Sequence, residues 1–217
     1  MGDMIFTMFS TFNAPLRALA LAGLVLLAPS LAQAATPAEG FVSENIQKGL
    51  QILANKGPQR AGQFETFLEG LTDISRIGRF TLGNARRTAS PADIAAFDTA
   101  FKNYAIAVYQ SRLSAYSGQT LKVTGSTQNA PGDYTVTTVM VDPNADKGQQ
   151  PLTVGFRVVT EGSRMVVIDV SVAGVWLSIE ERDQFSAFLS QHNGSIPALI
   201  AHLNTLTAQL KSGNAAR

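Results

Sequence analysis

The spacing of apolar residues changes period near residue 120. Before this point, apolar residues recur at steps of three and four, the spacing of one face of a helix. From Thr120 the steps become two, which is typical of strands with one buried face. Helical spacing returns after residue 177. The pattern predicts helices, then strands, then helices, in a single α+β domain.

Capping signals mark the predicted helix starts. TPAE at 36–39, SPAD at 90–93 and SIEE at 178–181 each place a hydroxyl side chain three residues before an acidic one. The first helix is expected to stop before Gly57, and the long helix that begins near residue 91 is expected to end near Gly118. Between these two helices we expect a second helix and a short helical segment at 73–83. A last helix is predicted from about Ser195 to Leu210.

Four alternating runs predict an antiparallel meander of four strands, at 120–127, 133–142, 151–160 and 164–172. Turn-forming residues such as Asp142-Pro143-Asn144 separate the runs. Each of the last two strands is expected to turn one apolar face towards the helices. By alternation, these faces carry Leu152, Val154, Phe156 and Val158 in the third strand, and Val166, Ile168, Val170 and Val172 in the fourth.

The first 34 residues have the composition of an export signal. Arg17 precedes an apolar run at 18–27, which is shorter than the about 20 residues that a membrane-spanning helix needs. Small residues at Ala32 and Ala34 form an A-x-A cleavage site. We therefore expect a signal peptide at 1–34 that is cleaved after Ala34, and a single exported domain at 35–217.

The amino-acid composition excludes some kinds of partner and favours a large apolar interior. Charged residues make up 15% of the chain, against about 25% in an average domain, which favours a large apolar interior. Lys and Arg number 17 and Asp and Glu number 16, without a basic run interleaved with aromatic residues, so nucleic acid is not an expected partner. Without cysteine, the chain can form no disulfide and carry no lipidated cysteine anchor.

Motifs for catalysis, metals and cofactors are missing from the sequence. His192 and His202 are the two histidines, and no cysteine adds a further soft ligand. Neither G-x-S-x-G, G-x-G-x-x-G nor a P-loop occurs. We therefore expect a protein that is not an enzyme and that holds no metal and no cofactor.

Polar candidates for a site are few. Arg76 and Arg79, which follow Asp73 on the short helical segment, are spaced to hold a phosphate. The alternative is that Asp73 caps its helix while both arginines face water or pair with acids. Asp169 lies in an apolar strand, where a solvated or rim position is favoured over a catalytic one. Trp176 either closes the mouth of a cavity or packs in the core.

Four stretches, taken together, resemble the MlaC (toluene-tolerance) family of periplasmic lipid-binding proteins. They are DISRIGRFTLGNARRTASPADIAAF at 73–97, FKNYAIAVYQSRLSAYSGQTLKV at 101–123, the strand hairpin at 151–172, and IDVSVAGVWLSIEERDQFSAFL at 168–189. The chain departs from the family pattern after the fourth strand, where E-G-V-S is usual and AGVW stands at 173–176.

The resemblance implies a four-stranded twisted antiparallel sheet wrapped by helices, with phospholipid acyl chains in an apolar cavity between them. It also implies a soluble periplasmic carrier that maintains outer-membrane lipid asymmetry. The implied partners are an inner-membrane ABC transporter complex with its lipid-binding ring protein, and an outer-membrane lipoprotein complex. Arg76 and Arg79 are the candidates for headgroup contact, and we expect a lining formed by Ile74, Ile77, Phe80, Phe101, Tyr104, Val108, Phe156, Val158, Val170, Val172, Val175 and Trp176.

Three other functions are compatible with the sequence. The same fold is able to carry another apolar ligand, such as a hopanoid or an aromatic solvent component. An exported adaptor with a solid core has the same apolar periodicity, because periodicity alone does not separate a packed core from a lined cavity. An enzyme needs an acid or base inside the cavity, for which Asp73 and Asp169 are the candidates.

Overall fold

The computed structural model describes residues 35–112, 116–145, 148 and 150–212, so the predicted signal peptide lies outside the described residues. The order of helices, strands and helices is confirmed, and the fold is α+β. Helices α1 to α6 are Pro37–Ala54, Arg60–Leu71, Ile74–Thr81, Pro91–Arg112, Leu177–Gln191 and Ile196–Lys211, with a 3-10 helix at Gly83–Arg87. Strands β1 to β5 are Thr120–Ala130, Asp133–Val141, Thr153–Glu161, Arg164–Val172 and Val175–Trp176.

Within the described part of the chain, the sheet has five strands in the order β1-β2-β3-β4-β5, and each pairs antiparallel with the next. The prediction of four strands is therefore wrong, because it missed the short strand β5. A tight turn at Ala173 and Gly174, which both have positive φ, folds β5 back onto β4. A run of two residues is too short to show alternation, and its pairing depends on this turn.

Capping side chains fix where two of the helices begin. The Glu39 N–H donates to Thr36 Oγ1 at 3.2 Å, and the Asp93 N–H donates to Ser90 Oγ at 3.0 Å, as the capping signals predict. The Ser126 hydroxyl of β1 also hydrogen bonds with Thr36 Oγ1 at 2.9 Å and donates to Glu39 Oε1 at 2.6 Å. The start of α1 is thereby tied to β1.

One face of the sheet packs against α1. Ala38 and Val42 of α1 form a cluster with Val136, Val158 and Val167 of the three central strands, and each of the five is at most 3% exposed. Removing these side chains from water is the main stabilisation of α1 on the sheet.

A β-bulge in β4 changes which residues of that strand share a face. Val158 pairs with Val167, but Arg157 pairs with Asp169, so Ile168 is an extra residue in β4. The alternation changes phase at this point. The prediction that residues 166, 168, 170 and 172 share one face is therefore wrong, because a sequence pattern of period two does not register an inserted residue.

Aromatic rings form the middle of a second apolar cluster, which lies between the helices. Phe97 and Phe101 of α4 stack at 5.8 Å between ring centroids, and Phe185 of α5 meets both rings edge-on at 6.1 and 6.2 Å. Leu199 and Leu203 of α6 complete the cluster without exposure. Edge-to-face packing adds to the stability that burial alone supplies.

Replacing Gly78 by alanine is expected to destabilise the protein, although alanine is the better helix former. Gly78 lies where α3 crosses α4, and an added Cβ would come within 2.7 Å of Phe101 Cδ1 and 3.0 Å of its Cγ. The Phe101 ring is 5% exposed and packed by its neighbours, so relief requires a shift of the core. We expect a net loss of about 2 kcal/mol in the free energy of unfolding, measured with urea.

Gly40→Ala is the matched control, because Gly40 lies inside α1 and nothing stands within 4 Å of its added Cβ. Helix propensity alone then acts, and we expect a gain of up to about 1 kcal/mol. Equal gains for Gly40→Ala and Gly78→Ala would contradict the close packing of α3 on α4.

Candidate ligand-binding cavity

A cavity of about 600 Å³ lies between the sheet and the helices α3 and α5. This volume is within the range of about 300–1,000 Å³ that is usual for small-molecule sites. Helix α3 and the first turn of α5 line one side, and strands β1 to β5 line the other. The lining residues are Arg76, Ile77, Phe80, Asn129, Thr135, Arg157, Ile168, Asp169, Trp176, Ser178 and Ile179.

The sheet presents its more polar face to this cavity. Thr135, Arg157 and Asp169 are register partners on β2, β3 and β4, so their side chains form one row on the same side of the sheet. The neighbouring residues Val136 and Val158 turn the opposite way, into the cluster beneath α1. The bulge brings Ile168 and Asp169 into the lining together.

Ile77, Phe80 and Trp176, three of the residues expected to hold acyl chains, line this cavity, and so does Arg76. The other nine lie elsewhere in the molecule. Ile74, Phe101 and Tyr104 belong to the aromatic cluster between the helices. Phe156, Val158 and Val170 belong to the cluster beneath α1. Val108, Val172 and Val175 are half-buried and lie outside the lining set.

The two arginines of α3 both pair with acids. This agrees with the second of the two alternatives that the sequence left open for them. Asp73 accepts from the Arg76 N–H at 2.9 Å and so caps α3. Arg76 Nη1 donates to Glu161 Oε1 at 2.9 Å, and Arg79 Nη2 donates to Asp98 Oδ2 at 2.6 Å. Arg76 lines the cavity, whereas Arg79 lies outside the lining set.

Arg157 is the cation of the cavity that sequence reasoning missed. Its Nη2 and Nε donate to the two carboxylate oxygens of Asp133 at 2.8 and 3.2 Å. The hydrogen bond from Arg157 lowers the pKa of Asp133, and the same bond raises the pKa of Arg157. One signal was available, because Arg157 is the charged residue between Phe156 and Val158 in an otherwise apolar stretch.

Asp169 joins β4 to α5 through Ser178. The Ser178 N–H donates to Asp169 Oδ1 at 3.1 Å, the Ser178 hydroxyl donates to Asp169 Oδ2, and the Val170 N–H donates to Oδ1 at 2.8 Å. The capping box predicted at 178–181 is therefore wrong. Helix α5 begins at Leu177, so its N-cap residue is Trp176, which makes no side-chain cap hydrogen bond. Ser178 lies inside the helix, and its hydroxyl bonds to Asp169.

A half-buried carboxyl group of α5, that of Glu181, interacts with Tyr104 of α4. Burial raises the pKa of Glu181 to about 7, against the opposing effect of a hydrogen bond with Tyr104, and Glu180 raises it further. Burial also raises the pKa of the Tyr109 hydroxyl, and the Asp169 and Glu181 carboxylates add to the effect.

A second depression lies between α1 and α2. It is more open to solvent than the cavity at the sheet, and no charged side chain is among its lining residues. They are Gln51, Ile52, Asn55, Pro58, Gln59, Gly62, Gln63 and Thr66. Of these two sites, the cavity at the sheet is the one that combines an apolar wall with cations.

Two other kinds of site are absent from the described residues. None of their helices is both long and apolar enough to cross a membrane. No three His, Asp or Glu side chains among them form a group that could hold a metal ion. The rings of His192 and His202 instead both stack on Phe188, at 3.9 and 4.6 Å between centroids.

The fold and the cavity define a class, namely an antiparallel sheet covered by helices that keeps a ligand-sized space between them. The chain belongs to the MlaC protein family, whose model matches residues 41–205. The resemblance seen in the four sequence stretches is thus confirmed.

A solved structure shares the fold. It is the phospholipid-binding protein from Ralstonia solanacearum, determined in complex with a phospholipid. The match has a TM-score of 0.65 at 20% sequence identity, and it covers 80% of this chain and 96% of that chain.

Proposed function

We propose that this protein is a periplasmic carrier that binds a phospholipid and moves it between the outer and inner membranes together with an ABC transport system. Membership of the MlaC family supports the proposal. The observation that carries it is the cavity of about 600 Å³, which combines an apolar wall with two guanidinium groups. The role is binding and transfer, without catalysis.

The apolar part of the wall suits acyl chains. Ile77, Phe80, Ile168, Trp176 and Ile179 supply it from both sides of the cavity. Each buried methylene contributes about 0.8 kcal/mol, so a chain of about 16 carbons gains on the order of 12 kcal/mol over water. Spontaneous release into water is therefore very slow, and a carrier of this kind needs to pass its cargo directly to a partner.

The two guanidinium groups suit the phosphate of a lipid headgroup. Arg76 and Arg157 both line the cavity. A guanidinium has five N–H donors, of which Arg157 uses its Nε and Nη2 towards Asp133 and Arg76 uses Nη1 towards Glu161. The remaining donors are able to bind phosphate oxygens while these ion pairs persist. We place the headgroup here rather than at Arg79.

The edge of the cavity suits direct transfer. Phe80 and Ile179 line it and are large apolar side chains with exposures of 41% and 43%. Exposed apolar groups beside a binding site are typical of docking surfaces. The partners that we propose are an inner-membrane ABC transporter complex with its lipid-binding ring protein, and an outer-membrane lipoprotein complex.

Native mass spectrometry tests the proposal. The protein is purified from a bacterial periplasm without detergent, its mass is measured, and the ligand is extracted and identified. We expect phospholipid at nearly one equivalent per chain. A ligand-free mass that persists after incubation with phospholipid vesicles would contradict the proposal and favour an adaptor. A hopanoid in the extract would instead favour a carrier of another apolar ligand.

A further inference from the structure

Trp176 belongs to a row of residues on the cavity face of the sheet. Ser171 of β4 is the register partner of Gly155 in β3 and of Trp176 in β5. Register partners in neighbouring strands place their side chains on the same side of a sheet. Gly155 and Ser171 each lie two residues from Arg157 and Asp169, which line the cavity. The row with Trp176 therefore faces the same way.

Gly155 has no side chain at the point that the indole reaches. A Cβ added at Gly155 would collide with the Ser171 hydroxyl and would stand 3.9 Å from Trp176 Cη2. The far edge of the indole thus extends from β5 past β4 to β3. Gly155 is buried and Ser171 is 7% exposed, so the indole lies over a closed part of the sheet face.

The backbone is fixed on both sides of Trp176. On one side, the pairing with Ser171 holds β5 to β4. On the other side, the N–H and the hydroxyl of Ser178 both donate to the Asp169 carboxylate. Because the indole has no flexible chain of its own, a fixed backbone makes it a rigid part of the cavity wall.

The cavity crosses the sheet from its first strand to its last. The lining includes Asn129 of β1 and Trp176 of β5. Neighbouring strands lie about 4.8 Å apart, so β1 and β5 are separated by about 19 Å. Two opposed acyl chains fill the hydrocarbon core of a bilayer, which is about 30 Å thick, so one chain spans about 15 Å. The cavity therefore has about the length of one acyl chain.

An ion pair marks the end of this span that lies opposite the indole. Arg157 of β3 donates to Asp133 of β2 at 2.8 and 3.2 Å, and the Asn129 side chain of β1 donates to the same carboxylate at 3.0 Å. Trp176 lies at the β5 edge. An acyl chain whose polar end is on the side of the ion pair runs towards the indole.

We infer that Trp176 is a specificity-determining residue, which sets the greatest length of acyl chain that the cavity accepts. The inference rests on the proposed function and deepens it. The indole ends the apolar space at β5, so a methylene beyond that length is not buried in the protein. Each such methylene lowers the affinity, relative to a chain that fits, by about fourfold.

Competition between two lipids with the same headgroup tests the inference. Ligand-free protein is incubated with vesicles of equimolar dipalmitoleoyl and dieicosenoyl phosphatidylcholine, and the bound lipid is extracted and quantified. Both lipids bury their chains fully in the vesicle, so a preference reports on the cavity. We expect at least about threefold enrichment of the shorter lipid. Equal uptake, or enrichment of the longer lipid, would overturn the inference and leave the proposed function standing. Uptake of neither lipid would overturn both.

Trp176→Val tests the cause, because it removes the indole and keeps a residue that suits a strand. The space over Gly155 and Ser171 then opens to the end of a longer chain. We expect the ratio of longer to shorter bound lipid to rise at least about threefold above that of the unmodified protein. An unchanged ratio in the folded variant would overturn the inference.

Phe188→Leu is the matched control. Phe188 is also a half-buried aromatic residue, but its ring stacks on His192 and His202, and it lies outside the lining set. The ratio of the two lipids in this variant should equal that of the unmodified protein. A shift as large as that of Trp176→Val would show that the loss of any such ring alters the preference, and it would overturn the inference.

Fluorescence quenching tests the contact in the unmodified protein, so it does not depend on whether Trp176→Val folds. Trp176 is the single tryptophan of the chain, and tryptophan emission therefore reports on this site alone. The protein is loaded with phosphatidylcholine that carries bromine, a contact quencher, near either the methyl end or the carboxyl end of its acyl chains. We expect stronger quenching by the lipid with bromine near the methyl end. Equal quenching, or stronger quenching by the other lipid, would overturn the inference.

Discussion

Replacing Ile168 by asparagine is expected to weaken phospholipid binding by about a hundredfold, because it removes apolar contact and places an amide against the acyl chains. Ile168 lines the cavity as the extra residue of the β4 bulge, and its side chain is half-buried. Asparagine is uncharged, so the nearby arginines do not compensate for it. The two effects together amount to about 3 kcal/mol, and displacement of a fluorescent lipid measures them.

Ile52→Asn is the control for this experiment. Ile52 is also half-buried, and it lines the depression between α1 and α2 rather than the cavity at the sheet. Lipid affinity should be retained in this variant. If Ile168→Asn binds lipid as well as the unmodified protein does, the acyl chains do not occupy this cavity. If both variants lose binding along with their thermal stability, the loss reflects unfolding, and Ile168→Val then tests the contact without an amide.

Local signals were sufficient for most of the secondary structure. The caps of α1 and α4 depend on a hydroxyl, a proline and an acidic residue within four positions, so sequence alone identifies them. The supposed cap at Ser178 has the hydroxyl and the acidic residue, though no proline, yet its hydroxyl bonds to Asp169, nine residues earlier in the chain. A capping pattern shows which bonds a side chain is able to form, and the tertiary fold decides which bond it forms.

The location of the site was harder to predict than the fold. Alternation correctly separated Phe156 and Val158 from Arg157, but it does not tell which face of the sheet the helices cover tightly. We expected the apolar face to line the cavity, whereas α1 covers that face and the row with Arg157 faces the open space. Helices pack most closely against the apolar face of a sheet. A cavity therefore persists more easily at the other face, where polar residues interrupt the packing.

Glu181→Gln is expected to stabilise the protein at pH 8 and to have little effect at about pH 4.5. Burial raises the pKa of Glu181 to about 7 in the folded protein, from 4.5. The folded state therefore binds this proton more tightly than the unfolded state does. The stability that the neutral carboxyl contributes is fully present below pH 4.5 and is lost as the pH rises through 7, by about 3 kcal/mol in all.

Glutamine keeps the shape of the side chain and an oxygen for the Tyr104 hydrogen bond but does not ionise, so the gap in stability between the two proteins should open between pH 4.5 and 7. Urea unfolding across this range measures it. Asp183→Asn on the same helix is the control, because its side chain is 70% exposed and its charge is solvated in both states. A gap for Glu181→Gln that does not change with pH would show that this carboxyl is as well solvated in the folded protein as in the unfolded chain.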